Sequence, residues 1–168
     1  MIKEEAEQKY KEAFNTMWKV CKDQNWGDPF NYNRAKEIYT SIELKHLVST
    51  KYAGADAIDE DGEAEYKSTI QNRINGAYKG ISRHETWEEQ VEYLKTKKIA
   101  KYKNHYFARF DRENMTIAEC WRLSGDTVLE ILLPKLEKQF FSKTKRKDPR
   151  LEGTVSMTKI KKYGEQLI

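Results

Sequence analysis

Apolar residues recur three or four positions apart near the start of the chain, with Lys and Glu between them. This spacing predicts an amphipathic helix over about residues 3 to 23. We expect that helix to pack by its apolar stripe. A break at Gly27 and Pro29 precedes a second predicted helix, which begins at about Arg34 and carries Val48 near its end. The stripe of the first helix consists of Tyr10, Phe14, Met17, Trp18 and Cys21.

After Gly54 the pattern becomes that of paired strands. Residues 56–59 and 63–69 each fit a strand, and the pair Asp61-Gly62 predicts a tight turn between them. The sequence therefore predicts a β-hairpin. Residues 70–83 carry scattered apolar positions among Asn and Gly, and we interpret them as a loop with a short strand or a bulge.

A helix and a second hairpin follow. Thr86 and Glu89 have the spacing of a capping box, which predicts a helix from Trp87 to about Lys97. Residues 105–110 and 117–123 read as two strands joined by a polar turn.

The last part of the chain mixes both element types. Ser124 can cap a long apolar helix that Pro134 should bend or divide. A basic loop is predicted over 142–153, followed by a short strand around Val155 and a helix from about Thr158. We therefore predict an α+β fold with a central mixed β-sheet flanked by helices.

Composition favours one folded domain. The 168 residues are 38% hydrophobic and 12% aromatic, which is too apolar for a disordered chain and enough for one core. We expect a single domain over residues 1–168, with a helical part at 1–50, a sheet region that carries the chemistry at 51–123, and a closing part at 124–168.

The charge points to an anionic partner. The formal net charge is +4, and basic residues crowd two segments, 95–103 and 143–150. Such runs are either solvated faces or phosphate contacts. Cys21 and Cys120 show neither zinc spacing nor a disulfide framework. The charged N-terminus lacks the apolar run of a signal peptide, and no run approaches the ~20 residues that cross a bilayer, so we expect a cytoplasmic protein without a membrane segment.

The candidate chemistry lies in the first hairpin. Glu65 and Lys67 are two positions apart on a predicted strand and therefore share a face, and the turn can bring Asp56 close to Glu65. Two carboxylates can hold Mg²⁺, which polarises a phosphate and activates water, while Lys67 can orient or deprotonate that water and offset developing charge. In a chain this rich in Asp, Glu and Lys, the same spacing also arises by chance as a surface ion-pair strand.

These residues carry a family resemblance. Residues 55–62 and 65–68 resemble the active-site hairpin of the PvuII-like type II restriction endonucleases, members of the PD-(D/E)XK nuclease superfamily. The resemblance implies the fold of that superfamily, a homodimer that embraces double-stranded DNA, Mg²⁺ as cofactor and cleavage at a short, usually palindromic site. It also implies a companion DNA methyltransferase. Further similar blocks, in the same order, are 79–82, 99–103, 117–123 and 163–165, so that the resemblance spans roughly 28–168.

The resemblance also assigns roles. It implies Asp56 and Glu65 as metal ligands, Lys67 as the catalytic lysine and Tyr102 as a tyrosine near the scissile phosphate, although a packed core tyrosine fits Tyr102 as well. The spacer between Asp56 and Glu65 is one residue shorter than in the family, so the turn must differ. An aspartate that the family uses in its N-terminal region has no clear equivalent, because Asn31-Tyr32-Asn33 occupies that stretch.

Base reading should differ from the family as well. Arg83 is the candidate reader, since Arg commonly binds guanine O6 and N7. His84 and Asn75 follow it as candidates, with an exposed ring and a turn residue as the equally good structural alternatives. The remaining candidates for DNA contact are Ser82, Lys101, Arg146 and Arg150.

Two alternatives stay open at the level of function. The chain could be another nuclease of the superfamily, acting on branched or damaged DNA, or a DNA-binding protein that keeps the fold without the chemistry. The intact set of Asp56, Glu65 and Lys67 argues against the second. His46 and His105 have no metal-ligand spacing and are interpreted as packed or surface residues.

Overall fold

The computed structural model describes residues 2–50, 54–142 and 148–168. The α-helices within the described residues are α1 (Lys3–Asp23), α2 (Arg34–Glu43), α3 (Trp87–Tyr93), α4 (Gly125–Phe140) and α5 (Met157–Tyr163). A π-helical turn, Leu94–Lys98, directly continues α3. The strands are β1 (Leu47–Val48), β2 (Ala57–Asp59), β3 (Gly62–Thr69), β4 (Gly76–Ile81), β5 (Asn104–Phe110), β6 (Ile117–Ser124), β7 (Leu151–Val155) and β8 (Glu165–Gln166).

The central sheet is mixed. Its strand order within the described residues is β1-β2-β3-β5-β6-β8, and β3 runs parallel to β5 while the other neighbours are antiparallel. Strands β4 and β7 form a separate antiparallel pair. The predicted α+β class with a central mixed sheet and flanking helices is confirmed.

Side chains of the central sheet divide between two cores because successive residues of a strand point to opposite faces. On β5, Phe107 belongs to a larger core with α4, β4 and β7, whereas Tyr106 and Ala108 belong to a smaller core with Tyr66 of β3. Glu65 and Lys67 lie on the side of β3 opposite to Tyr66, which is the side that faces the larger core.

Both predicted hairpins form. In the first, Asp59 pairs with Gly62, and its Oδ1 accepts hydrogen bonds from the backbone N–H of Asp61 and Gly62. The turn residues are therefore Glu60 and Asp61, one position before the predicted pair. Gly62 then begins β3 with a φ of 122°, a conformation that favours glycine. The second hairpin joins β5 to β6.

Helix caps follow the predicted chemistry. The capping box of Thr86 and Glu89 is present, and the Ser124 side chain accepts from the backbone N–H of Thr127. Helix α4 continues through Pro134, so of the two expected effects of this proline, a bend or a division, the division does not occur. The buried side chains of Leu132 and Leu136 anchor the helix on both sides of the proline.

Three boundaries differ from expectation. Val48 lies in β1 rather than in the second helix, which already ends at Glu43. The segment 70–83 contains β4 with an irregular register after Tyr78, in agreement with the strand-or-bulge interpretation. The prediction of a basic loop over 142–153 is wrong for its last three residues, because β7 already begins at buried Leu151. The basic centre of that loop, 143–147, lies outside the described residues.

Helix α1 forms over the predicted residues but does not pack as expected. Its one buried side chain is Cys21 in the last turn, whereas Tyr10 is 72% exposed and Trp18 is 46% exposed. The ring of Phe14 stacks on that of Phe30 at 3.9 Å, yet Phe14 is 43% exposed and Phe30 is 42% exposed. The apolar stripe of α1 is therefore a surface. No helix in the described part of the chain combines the length and apolar character of a membrane-spanning segment.

Candidate active site

Strand β3 carries Glu65 and Lys67 on one face. Its other face is buried through Ala64 and Tyr66, which fixes the strand's orientation. The Lys67 Nζ donates a hydrogen bond to Glu65 Oε1 in a close ion pair, and both side chains are only partly exposed. The sheet thus presents one carboxylate and one ammonium side by side.

Asp56 lies directly before β2, and its side chain reaches the same part of the sheet as Glu65 and Lys67. Its backbone N–H donates to the carbonyl oxygen of Ala64 at 3.0 Å, which continues the pairing of the hairpin. Its side-chain Oδ2 accepts from the backbone N–H of Tyr66 at 2.7 Å. Since Tyr66 stands between Glu65 and Lys67, this bond holds the Asp56 carboxylate beside both of them.

These side chains open into one polar cleft. Its volume is about 330 Å³, within the range of small-ligand sites. The described residues that line it offer carboxylates, amides, hydroxyls and an ammonium, and no thiol or imidazole. They are Asn33, Glu37, Asp56, Glu65, Tyr66, Lys67, Ser68, Thr69, Gln71, Asn75 and Ala77.

The electrostatics of the cleft centre on Asp56. Burial, and then the negative charges of Glu65 and Glu37, together raise the pKa of its carboxyl to about 8, against the lowering effects of the Tyr66 N–H and the Lys67 ammonium. A carboxylate that loses water and faces like charges is costly to ionise unless a cation joins it. The cleft is therefore suited to receive a cation.

The donor set decides which cation fits. In residues 2–50, 54–142 and 148–168, no three His, Cys, Asp or Glu side chains group closely enough to hold a metal ion. Asp56 and Glu65 offer two carboxylates, one of them already bonded through Oδ2 to Tyr66. Mg²⁺ commonly binds through one or two carboxylates, together with water and substrate phosphate. The pair therefore fits Mg²⁺ in the presence of a phosphate.

The residues that line the cleft include seven that were not predicted as site residues from the sequence, and two of these seven belong to the N-terminal helical part. Glu37 and Asn33 come from the start of α2, and both line the cleft. Arg34 holds this helix in place, since its Nε donates to the carbonyl oxygen of Trp26 at 2.8 Å and its Nη1 pairs with Glu37 at 3.3 Å. The available signal was their four-residue separation, which places Asn33 and Glu37 on one side of a helix start.

The other predicted site residues divide by position. Asn75 lines the cleft. Tyr102 is only 8% exposed and lies outside the lining of the cleft, with its ring 6.0 Å from that of His105; burial and then Glu65 raise its pKa to about 12. Lys101 is exposed, pairs with Glu63 at 3.0 Å and lies 5.1 Å from the Tyr102 ring.

Two of the candidate base readers, Arg83 and His84, and the candidate DNA contact Ser82 follow β4, outside the lining of the cleft. The Arg83 guanidinium donates to the carbonyl oxygen of Phe140 and lies 4.8 Å from that ring, so it caps the C-terminal end of α4. The Ser82 carbonyl oxygen accepts from Gln90 Nε2 at 3.1 Å. The His84 ring packs 4.6 Å from that of Tyr93, and within the described structure its buried Nε2 has no hydrogen-bond partner.

The remaining candidates lie apart. Arg150 is exposed and pairs with Asp148 at 2.8 Å. Arg146 lies outside the described residues. His46 Nδ1 is 2.7 Å from the Tyr66 hydroxyl in the smaller core, and His105 is fully buried, so both are packed, which is one of the two interpretations that the sequence left open. The structure thus joins Asp56, Glu65, Lys67 and Asn75 in one cleft and leaves the other candidates that it describes outside the lining of that cleft. No known family model and no curated protein matches the chain.

Proposed function

We propose that this protein is a Mg²⁺-dependent type II restriction endonuclease of PD-(D/E)XK fold that hydrolyses double-stranded DNA at a short specific site. The observation that carries the proposal is the union of Asp56, Glu65 and Lys67 in one polar cleft, with Glu65 and Lys67 on one strand. The resemblance of the hairpin and the later sequence blocks supports it. A companion methyltransferase belongs to the proposal, without direct contact.

Each residue has a separate task in the proposed reaction. Asp56 and Glu65 hold Mg²⁺, which when bound polarises the phosphate and lowers the pKa of a water. Lys67 orients the attacking water and offsets the charge that builds on the phosphate. The hydrogen bond from the Tyr66 N–H fixes the Asp56 carboxylate, which lines the cleft.

Plasmid and phage DNA provide the direct test. Cleavage should require Mg²⁺ or Mn²⁺, because the cleft offers only hard oxygen ligands, and Ca²⁺ should permit binding without cutting. Full activity in excess EDTA would contradict the proposal. Discrete fragments identify a restriction endonuclease, cutting confined to branched or mismatched DNA identifies the structure-specific alternative, and binding without cutting in any ion identifies a DNA-binding protein.

The proposed dimer has a candidate surface in α1. A palindromic site is most simply matched by a two-fold dimer in which each subunit cuts one strand. Two copies of the exposed stripe formed by Tyr10, Phe14, Met17 and Trp18 can cover each other, and the mixed Lys and Glu residues beside the stripe suit a self-complementary contact. We assign this stripe to the homodimer.

Charge placed in the stripe should separate the subunits. Trp18→Glu buries an unpaired carboxylate in the contact and should weaken the dimer by about tenfold or more in dissociation constant. Thr16→Glu adds the same charge on the polar side of α1 and should leave the dimer intact. Light scattering with and without DNA measures both variants. A wild-type protein that is monomeric in both conditions would overturn the dimer.

A further inference from the structure

A chain of buried polar groups lies beside the candidate active site. Tyr78 of β4 is 5% exposed, and its hydroxyl is 2.8 Å from Nδ1 of His105, which is 0% exposed. The His105 Nε2 is 2.9 Å from the carbonyl oxygen of Ile99. A carbonyl oxygen only accepts, so Nε2 carries the hydrogen and donates it.

The protonation of His105 then fixes the direction of the next bond. Burial lowers the pKa of His105 to about 4, and the ring is therefore neutral with a single N–H. Its Nδ1 can only accept, which makes the Tyr78 hydroxyl the donor. Because His105 pairs in register with Glu65 across β5 and β3, their side chains share one face of the sheet, and this bond anchors the Tyr78 ring beside the site on that face.

The Tyr78 ring in turn contacts Lys67. The Lys67 Nζ lies 5.0 Å from the ring centroid, which is within the range of a cation–π interaction. A lysine side chain is long and flexible, and one ion pair with Glu65 leaves its end free to turn about that contact. The buried Tyr78 ring restrains the Lys67 ammonium from a second direction, and because the ring is uncharged it does not neutralise the ammonium.

We infer that Tyr78 is a positioning residue of the nuclease site, whose ring holds the Lys67 ammonium at the cleft while the hydrogen bond to His105 fixes the ring. The inference rests on the proposed function, since it assigns Tyr78 a role in the step that Lys67 assists. Tyr78 itself touches neither the substrate nor the metal ligands through its hydroxyl, which points into the core. Its effect on the reaction is exerted through Lys67 alone.

Single-turnover cleavage tests the role. Tyr78→Leu removes the aromatic face and should lower the cleavage rate at saturating DNA by about 2- to 30-fold, the rate equivalent of a cation–π interaction, with KM unchanged. Tyr78→Phe keeps the aromatic face and loses only the hydrogen bond that fixes it, so its cleavage rate should lie between those of the wild type and Tyr78→Leu and within about threefold of the wild type. Phe110→Leu, which removes a buried ring from the smaller core, is the matched control for lost packing and should leave the rate unchanged.

Nuclear magnetic resonance tests the contact without reference to cleavage. The methylene protons next to Lys67 Nζ should be shifted upfield by the Tyr78 ring in the wild type and in Tyr78→Phe, and this shift should vanish in Tyr78→Leu. An absent shift in the wild type, or a Tyr78→Leu protein that loses the shift and still cleaves at the wild-type rate, would overturn the inference while leaving the nuclease intact. A wild type that keeps the shift but cleaves no DNA would overturn the proposed function and the role of Tyr78 together.

Discussion

Lys67→Ala is expected to cleave the cognate duplex about 100- to 10,000-fold more slowly than the wild type while binding it nearly as tightly. Lys67 is proposed to act on the attacking water and on charge that appears only in the transition state, so its loss raises the barrier and leaves ground-state binding almost unchanged. If Lys67 served only as half of a partly exposed ion pair with Glu65, its loss would change stability by at most ~1 kcal/mol and leave activity intact.

The control for this substitution comes from the same strand. Glu63 lies two residues before Glu65 on the same face, and its carboxylate pairs with exposed Lys101 outside the lining of the cleft. Glu63→Ala should therefore stay within about fivefold of the wild-type rate. Gel-shift and plasmid-nicking assays on both variants decide the matter, and equal cutting rates for Lys67→Ala and Glu63→Ala would refute the assignment of Lys67.

Asp59 is unsuited as a second control, although it also lies in the hairpin. Its Oδ1 holds the turn, and its Oδ2 accepts from Asn104 at 2.9 Å and from the Tyr106 hydroxyl at 2.7 Å. These hydrogen bonds lower the pKa of Asp59 despite its partial burial. Loss of the Asp59 carboxylate would disturb the whole hairpin, so reduced cutting by such a variant would report on folding rather than on chemistry.

The sequence predicted those elements whose cause is local. A hairpin needs alternating apolar residues and a turn that tolerates unusual backbone angles, and Gly62 supplies the second requirement. A helix start needs a side-chain oxygen for free backbone N–H groups, which Thr86 and Ser124 provide. The placement of Glu65 and Lys67 on one face of β3 follows from the same local reasoning, because the period of a strand is two.

The sequence did not predict features that depend on how the elements are placed in the tertiary structure. Periodicity identifies the apolar stripe of α1 but carries no information about what covers it, and the stripe is exposed. Strands β1 and β8 are two residues each and form only because a longer strand offers them an edge. Glu37 reaches the cleft because Arg34 holds α2 against the loop before it, and residue spacing in the sequence does not predict that contact.

The same limit applies to the candidate base reader. Its residue type made Arg83 a reasonable choice for guanine recognition, but the fold also uses its guanidinium to cap α4 at Phe140. A loss of DNA affinity in Arg83→Ala would therefore need a parallel measurement of stability before it could be assigned to recognition. Residue type predicts what a side chain can bind, while the fold decides what it already binds.

Asp56→Asn should abolish cleavage and, in the absence of metal, make the protein more stable at high pH. The pKa of Asp56 is raised from 3.8 to about 8, so the folded protein retains a proton that the unfolded chain releases. The stabilising contribution of this proton is complete below about pH 4 and is lost as the pH rises towards 8. Asparagine carries no charge at any of these pH values and keeps an oxygen that can accept from the Tyr66 N–H.

Denaturation in urea with EDTA measures this effect. At pH 8.5 the free energy of unfolding of Asp56→Asn should exceed that of the wild type by about 1–3 kcal/mol, and the difference should shrink towards pH 5, where the wild-type carboxyl holds its proton. Mg²⁺ should then stabilise the wild type at pH 8.5 and leave Asp56→Asn unchanged, because the cation relieves the repulsion of Asp56 by Glu65 and Glu37. Asp23→Asn, at an exposed aspartate of α1, is the matched control and should follow the wild-type pH dependence. Identical pH dependence of Asp56→Asn and the wild type would show that Asp56 is not a buried carboxylate repelled by its neighbours. It would also contradict the proposed metal site, because that site depends on the same repulsion.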